Sequence, residues 1–264
     1  MVKIIKPSIG GHDGSSFRAL LDMWSERGYC TIEQGPSQRS EGYTEDPDSP
    51  EAKCWVEEQG NVLLYDFPIL DRLKNEYKQC LFSNTYKEGK GNKKWIFWPK
   101  HSRLYDQMKA GLRQNFDDRK FFSGFIGAPT NHHRNAIAND WSRVCEAFRF
   151  SSEQIQHDEY LEFCSNFRFG ISLRGVGPKC LRDIEYIGMG TVPVFSPGVS
   201  VDYHNPLIED VHFLKAETPE EAADKMKSLT KERWTEMSNA CIEWFEENCS
   251  VDGSFKTTME ILDD

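Results

Sequence analysis

The sequence predicts an α/β protein of two Rossmann-like domains whose parallel sheets face a cleft. Three observations point there. Short apolar runs alternate with amphipathic stretches along the chain, the pattern of strands that return through helices to pair in parallel. The alternation comes in two series, which places an N-terminal domain over residues 1–115 and a C-terminal domain over 116–264. With 264 residues, 38% hydrophobic and 12% aromatic, the chain has enough apolar material for cores of that size.

The first series opens on the apolar run Val2 to Ile5, followed by the glycine-rich loop SIGGHDGSS. In SFRALLDMWSERG, Phe17, Leu20, Leu21 and Trp24 recur at helical intervals, Gly28 stops the helix, and YCTI (29–32) resumes as a strand. Residues 34–52 are rich in Pro, Ser, Gly and acid and read as a long loop. Strand signals return at NVLLYDFP (61–68), QCLF (79–82) and WIFW (95–98), with a basic turn at KEGKGNKK (87–94) and a helix expected from Ser102 to about Gln114.

The second series begins with the strand KFFSGFIG (120–127), then a helix expected from about Asn135 to Phe148. NFRFGISL (166–173) is the next strand, and a helix follows from about Lys179 to Met189. TVPVF (191–195) and VHFLKA (211–216) are further strands. The C-terminal part is helical: Thr218 and Glu221 have capping-box spacing, and ERWTEMSNACIEWFEEN keeps apolar residues at helical intervals.

A formal net charge of −10 argues against a nucleic-acid partner, which calls for a basic face. The eight cysteines form no CxxC pair and no zinc-finger spacing with histidine. Several lie in apolar runs, which suits free thiols in a reducing compartment. No run approaches the roughly 20 apolar residues of a membrane helix. The expectation is a soluble cytoplasmic protein with no membrane-spanning segment.

Three loops follow strands, where open α/β sheets bind their ligands. In GGHDGSS, Asp13 and His12 are candidate general bases; alternatively Asp13 or Ser15 caps the helix. In GFIGAPTNHHRNAI, Arg134 is a fork suited to a phosphate, or a solvated helix-end charge. In LRGVGPKCLRDIE, Arg174, Lys179 and Arg182 surround the backbone-exposing glycines Gly175 and Gly177, a setting for a diphosphate. Glu185, one turn after Arg182, can accept hydrogen bonds from vicinal hydroxyls as an acid does with a ribose, or can form an i,i+3 ion pair. Asp46-Pro47-Asp48 matches a DxD metal motif in letters but follows no strand, so no metal site is assigned.

The stretch YLEFCSNFRFGISLRGVGPKCLRDIEYIGMGTVPVF, with FFSGFIG and HHRNAI upstream, resembles the donor-binding half of exostosin-like glycosyltransferases. The likeness covers roughly residues 119–250. It implies the two-domain GT-B fold, a nucleotide-sugar donor in the C-terminal domain and a glycan acceptor at the N-terminal one. By position, Arg134 and Arg182 would meet the diphosphate and Glu185 the ribose. The resemblance implies an inverting transferase that uses a nucleotide sugar, UDP-sugar first, and no bound metal or other cofactor. Such a chain would be a compact soluble member, viral or bacterial in kind. No N-terminal motif matches the family, so the base rests on the residues alone: Asp13, then His12, then Asp66. A nucleotide- or sugar-binding module without turnover and a different Rossmann-type group transferase are the alternatives, although SIGGHDGSS lacks a phosphate-cradling lysine.

Overall fold

The computed structural model describes residues 2–6, 20, 22–34, 62–65, 79–82, 93–94, 111–129, 132–153, 155–175, 179–201 and 203–263. The chain divides into two compact units: Met1–Tyr105 with Glu247–Asp264, and Asp106–Glu246. The first unit draws on both ends of the chain, which a boundary read along the sequence does not express.

In the first unit, β1 (Val2–Lys6) pairs in parallel with β2 (Cys30–Gln34), Val2 opposite Cys30. Helical turns at 22–26 lie between them, and Gly28, at φ +74°, ends those turns ahead of the second strand. β3 (Val62–Tyr65), β4 (Gln79–Phe82) and β5 (Lys93–Lys94) form a second parallel set. The expected loop at 35–52, the WIFW run and residues 102–110 of the expected helix lie outside the described residues.

The second unit is built on a five-stranded, all-parallel sheet: β6 (Phe121–Gly127), β7 (Ala147–Phe150), β8 (Phe167–Ser172), β9 (Val192–Phe195) and β10 (Leu214–Lys215). In space they run β10-β9-β8-β6-β7. This is a doubly wound order, and the winding reverses between β6 and β8. The helices are α1 (His132–Trp141), α2 (His157–Ser165), α3 (Leu181–Gly188), α4 (Pro219–Ser228) and α5 (Lys231–Asn248).

The expected helix from Asn135 to Phe148 is corrected. It runs His132–Trp141, a 3-10 turn follows at Ser142–Val144, and Cys145 is already extended (φ −103°, ψ 125°). Residues 147–150 form an edge strand. Phe148 stacks on Phe125 (centroids 5.4 Å apart) and Phe150 packs beside it (6.2 Å). Alternating aromatics that fit a sheet override the helical spacing. VHFLKA is likewise shorter than expected: Leu214 and Lys215 alone form the strand, after a turn in which Asp210 takes φ 61°.

The core of this sheet holds Phe125, Phe169, Ile171, Val192, Val194, Trp141 and Trp234, each at most 2% exposed. Burying each such side chain stabilises the fold by about 1.5–3 kcal/mol. Trp24 and Trp244 are buried too. Thr218 caps α4 by accepting from the Glu221 N–H (3.2 Å), while the Glu221 carboxylate accepts from the Glu217 N–H (2.8 Å). That box is displaced by one residue from the pattern its spacing suggests.

Two features fix the strands that matter for the site. Arg119, 2% exposed, donates to the carbonyls of Ser165 (3.0 Å), Phe167 (2.8 Å), Met189 (2.8 Å) and Gln114 (3.1 Å) and to the Thr191 hydroxyl (2.6 Å). It ties together the segments entering β8 and β9. α3 ends in a Schellman turn: the Thr191 N–H reaches the Tyr186 carbonyl (2.9 Å), the Gly190 N–H reaches Ile187 (3.0 Å), and Gly190 takes φ +67°.

Helix α6 (Val251–Asp263) belongs to the first unit. The Trp24 indole N–H donates to the Val251 carbonyl (3.0 Å), and Arg27 and Tyr29 both donate to Asp252 (2.8 and 2.7 Å). Among the described residues, no helix is long and apolar enough to cross a membrane.

Candidate functional site

The site is built where the sheet winding reverses, at the carboxyl ends of β6 and β8. Ligands of doubly wound sheets bind in the crevice outside such a switch point. Chain order delivers the starts of α1, α2 and α3 to the same edge, because each helix leaves the carboxyl end of a strand.

Arg182, the second residue of α3, is 6% exposed. It donates to the Ile126 carbonyl of β6 (3.1 Å) and to the Leu173 carbonyl just past β8 (2.9 Å), and its guanidinium lies 4.6 Å from the Phe125 ring centroid. It therefore clamps the two strands at the switch point with its charge held there. Its Nε is buried with no hydrogen-bond partner among the described residues. Gly127 is a requirement of this clamp, since a Cβ there would sit 2.8 Å from the Phe125 ring and 3.1 Å from Arg182 Nη1.

Arg134, in the first turn of α1, is 9% exposed and donates to the Ala128 carbonyl (3.1 Å), with Nη2 4.0 Å from Cys180 Sγ. Burial lowers its pKa, and the neighbouring Arg182 charge lowers it further. The solvated helix-end alternative for Arg134 is thus excluded. The buried Asp183 carboxylate and the Cys180 sulfur oppose that lowering, and the same neighbours hold the Arg182 charge firmly.

Asp183, 1% exposed, faces inward. Its carboxylate accepts from the Cys180 N–H (3.1 Å) and from the Ser172 hydroxyl, and so caps α3 and pins the end of β8. Burial pushes its carboxyl up, and the Arg182 charge and these hydrogen bonds oppose that push. Lys179 is buried with its Nζ 4.9 Å from the Tyr203 ring centroid, a cation–π contact. Arg174 follows β8, and its Nε is buried without a hydrogen-bond partner among the described residues. Its Cδ lies 3.1 Å from where a Cβ of Gly198 would be, and Gly198 takes φ +82°. Gly175 is buried in the same segment.

Glu185 requires a correction on both readings of it. It forms no ion pair with Arg182, whose nitrogens reach backbone carbonyls. Nor is its carboxylate open to a ribose. Glu185 is 4% exposed, Oε2 accepts from the Tyr160 hydroxyl (2.7 Å), and Oε1 lies 3.2 Å from His157 Nε2. Both partners come from α2, and burial keeps Tyr160 a neutral donor by raising its pKa.

The structure therefore places Arg134 and Arg182 within electrostatic reach of one another, Arg174 and Gly175 just past β8 and Lys179 just ahead of α3, while Glu185 is engaged by α2. Gly177, the candidate bases Asp13, His12 and Asp66, and the Asp46/Asp48 pair lie outside the described residues. Among the described residues, no group of three or more His, Cys, Asp or Glu could hold a metal ion.

Sequence reasoning missed Asp183, Ser172, His157 and Tyr160. Asp183 had a signal, an acid at the third helical position, but its N-cap is Cys180 rather than the usual Ser or Thr. His157 and Tyr160 lie 28 and 25 residues before Glu185, and nothing local announces that pairing.

No protein-family model matches this chain, and no curated protein matches it at a significant level.

Proposed function

We propose that the Asp106–Glu246 unit holds the diphosphate of a nucleotide sugar, and that the protein is an inverting, metal-independent glycosyltransferase of GT-B type acting on a glycan hydroxyl. The observation that carries this reading is the pair of buried guanidiniums, Arg134 and Arg182, beside each other at the switch point of the sheet. A planar fork suits phosphate oxygens, and two of them suit two phosphates. Arg174 and Lys179 extend the positive lining at the same edge, in a chain of net charge −10.

In such a reaction a base takes the proton of the acceptor hydroxyl, for which Asp13, His12 and Asp66 are the candidates. The acceptor oxygen forms a bond to the sugar C1 from the face opposite the leaving group. The bond from C1 to the phosphate oxygen breaks, and the nucleoside diphosphate leaves with the electron pair. Arg134 and Arg182 then stabilise charge that grows as that bond breaks, which is where fixed cations lower a barrier. UDP-sugars are the first donors to test. The six described cysteines are free thiols, which suits a protein of the cytoplasm.

The test is a panel of UDP- and GDP-sugars, following release of the free nucleoside diphosphate with and without EDTA. The proposal expects release with at least one donor, undiminished by EDTA. Tight nucleotide binding without release from any donor would favour a binding module. Loss of turnover in EDTA would overturn the metal-independent mechanism and return attention to Asp46 and Asp48.

A further inference from the structure

We propose that the segments leaving β8 and β9 form a separate oxyanion subsite, in which the Arg174 guanidinium and the Ser196 hydroxyl hold a phosphate group. The subsite adds a residue and a second place of binding to the phosphate reading above. It rests on that reading only for the class of ligand, since neither group belongs to the Arg134 and Arg182 pair.

The local chain places the two groups together. The Ser196 N–H donates to the carbonyl of Ser172 (3.0 Å), so Ser196 lies beside the end of β8, where the chain runs on to Arg174. The Val199 N–H then returns to the Ser196 carbonyl (3.3 Å) and closes the turn Ser196-Pro197-Gly198-Val199. Proline at its second position and a glycine of φ +82° at its third are the pattern of a type II turn. Arg174 lies against that turn: a Cβ on Gly198 would sit 3.1 Å from Arg174 Cδ and 3.4 Å from Nη1. Glycine thus lets the turn form and lets the arginine side chain lie on it.

Each group keeps an unmet hydrogen bond. Ser196 is 1% exposed, and its Oγ has no hydrogen-bond partner among the described residues. Arg174 is half-buried, and its buried Nε–H likewise has none among them. A buried polar group without a partner costs its desolvation, so such an atom in a folded protein calls for an explanation. Two of them on adjoining segments call for one that serves both. The Nε–H only donates, the hydroxyl can donate, and the arginine brings a full charge. The ligand that satisfies both is an acceptor of negative charge, and phosphate oxygens take such charge-assisted hydrogen bonds. The hydroxyl forms the inner end of the subsite and the guanidinium its outer end. Arg182 donates to the Leu173 carbonyl (2.9 Å), next to Arg174, so the subsite borders the Arg134 and Arg182 pair. The phosphate is either a group of the nucleotide ligand or a separate ion, and the experiment distinguishes these.

The full-length protein is titrated calorimetrically with inorganic phosphate, with UDP, and with phosphate after saturation by UDP. Wild type, Ser196→Ala and Arg174→Gln are compared, with melting temperatures of the ligand-free forms alongside. Both variants are expected to weaken phosphate binding at the subsite about tenfold. Ser196→Ala changes no charge and removes only an orphaned hydroxyl, so its melting temperature is expected to equal or exceed that of wild type. Arg174→Gln, at a half-buried position, reports even if Ser196→Ala fails to fold. If the variants also weaken UDP about tenfold and saturation with UDP abolishes phosphate binding, the group held is a phosphate of the nucleotide. If UDP is unaffected and phosphate still binds the UDP-saturated protein, it is a separate ion. Phosphate and UDP affinities within about twofold of wild type in both variants would overturn the proposal. Arg134→Met separates this outcome from the diphosphate reading. UDP affinity lost in Arg134→Met but in neither of these variants, with phosphate binding also unchanged in them, would overturn the subsite alone. Phosphate affinity lost in these variants, with UDP and pyrophosphate unchanged in Arg134→Met, would overturn the diphosphate reading alone.

Discussion

Arg134→Met separates a binding role from a structural one. The substitution keeps an unbranched apolar stem of similar reach and removes the charge. In the free protein it deletes a hydrogen bond to the Ala128 carbonyl (3.1 Å), a loss of about 1 kcal/mol. It also removes a cation that burial and Arg182 both disfavour, a gain of the same order. Stability is therefore expected to change by no more than about 1 kcal/mol in either direction. With a phosphate present the balance differs, because a charge-assisted hydrogen bond contributes about 1.5–3 kcal/mol. That corresponds to a roughly 10- to 150-fold weaker Kd for UDP and for pyrophosphate. Calorimetric titration of both ligands, with urea unfolding of the ligand-free protein, reads the two effects separately. Affinities within twofold of wild type would refute the argument. A stability loss of several kcal/mol would show that Arg134 is a structural staple.

Three further outcomes follow from the same geometry. Gly170→Ala should destabilise the second unit by about 1–3 kcal/mol in urea unfolding, since its Cβ would sit 2.5 Å from the buried Tyr186 ring. A stability equal to wild type would mean that Tyr186 can move aside. His212 is buried, accepts the Ile208 N–H on Nδ1 (2.9 Å), and burial holds its pKa below 6.5. The unfolded chain therefore binds a proton first on acidification, and stability falls as pH drops through 6.5 towards the lower folded value; His212→Asn should flatten that part of the stability–pH profile. The Cys180 thiol lies beside Arg134, and its pKa is raised by burial. The rate of its alkylation by anionic iodoacetate relative to neutral iodoacetamide should be higher in the folded protein than in the urea-unfolded chain, and pyrophosphate should protect it. Equal relative rates in the two states would argue against a local cationic field.

The fold of the second unit was legible because its signals are local. The apolar strands Phe121–Gly127, Phe167–Ser172 and Val192–Phe195 and the Gly190 turn each announce themselves within a few residues. β7 was not legible, since its aromatics also suit a helix, and contact with Phe125 decides between the two. The cations of the site were readable as loop residues after strands, and Arg134 and Arg182 do lie at one strand edge. Glu185 shows the limit of spacing arguments. R-x-x-E fixes which helix face the two side chains share, and α2, arriving from earlier in the chain, decides what Glu185 meets. Arg119 was invisible for the same reason, because the carbonyls it binds are scattered over three separate segments.

The most direct test of the central claim is a crystal structure of the protein with UDP. The account predicts the diphosphate outside the carboxyl ends of β6 and β8, with its oxygens within hydrogen-bonding distance of the Arg134 and Arg182 guanidiniums. A nucleotide bound elsewhere on the protein, with both arginines still engaged only by protein groups, would contradict it.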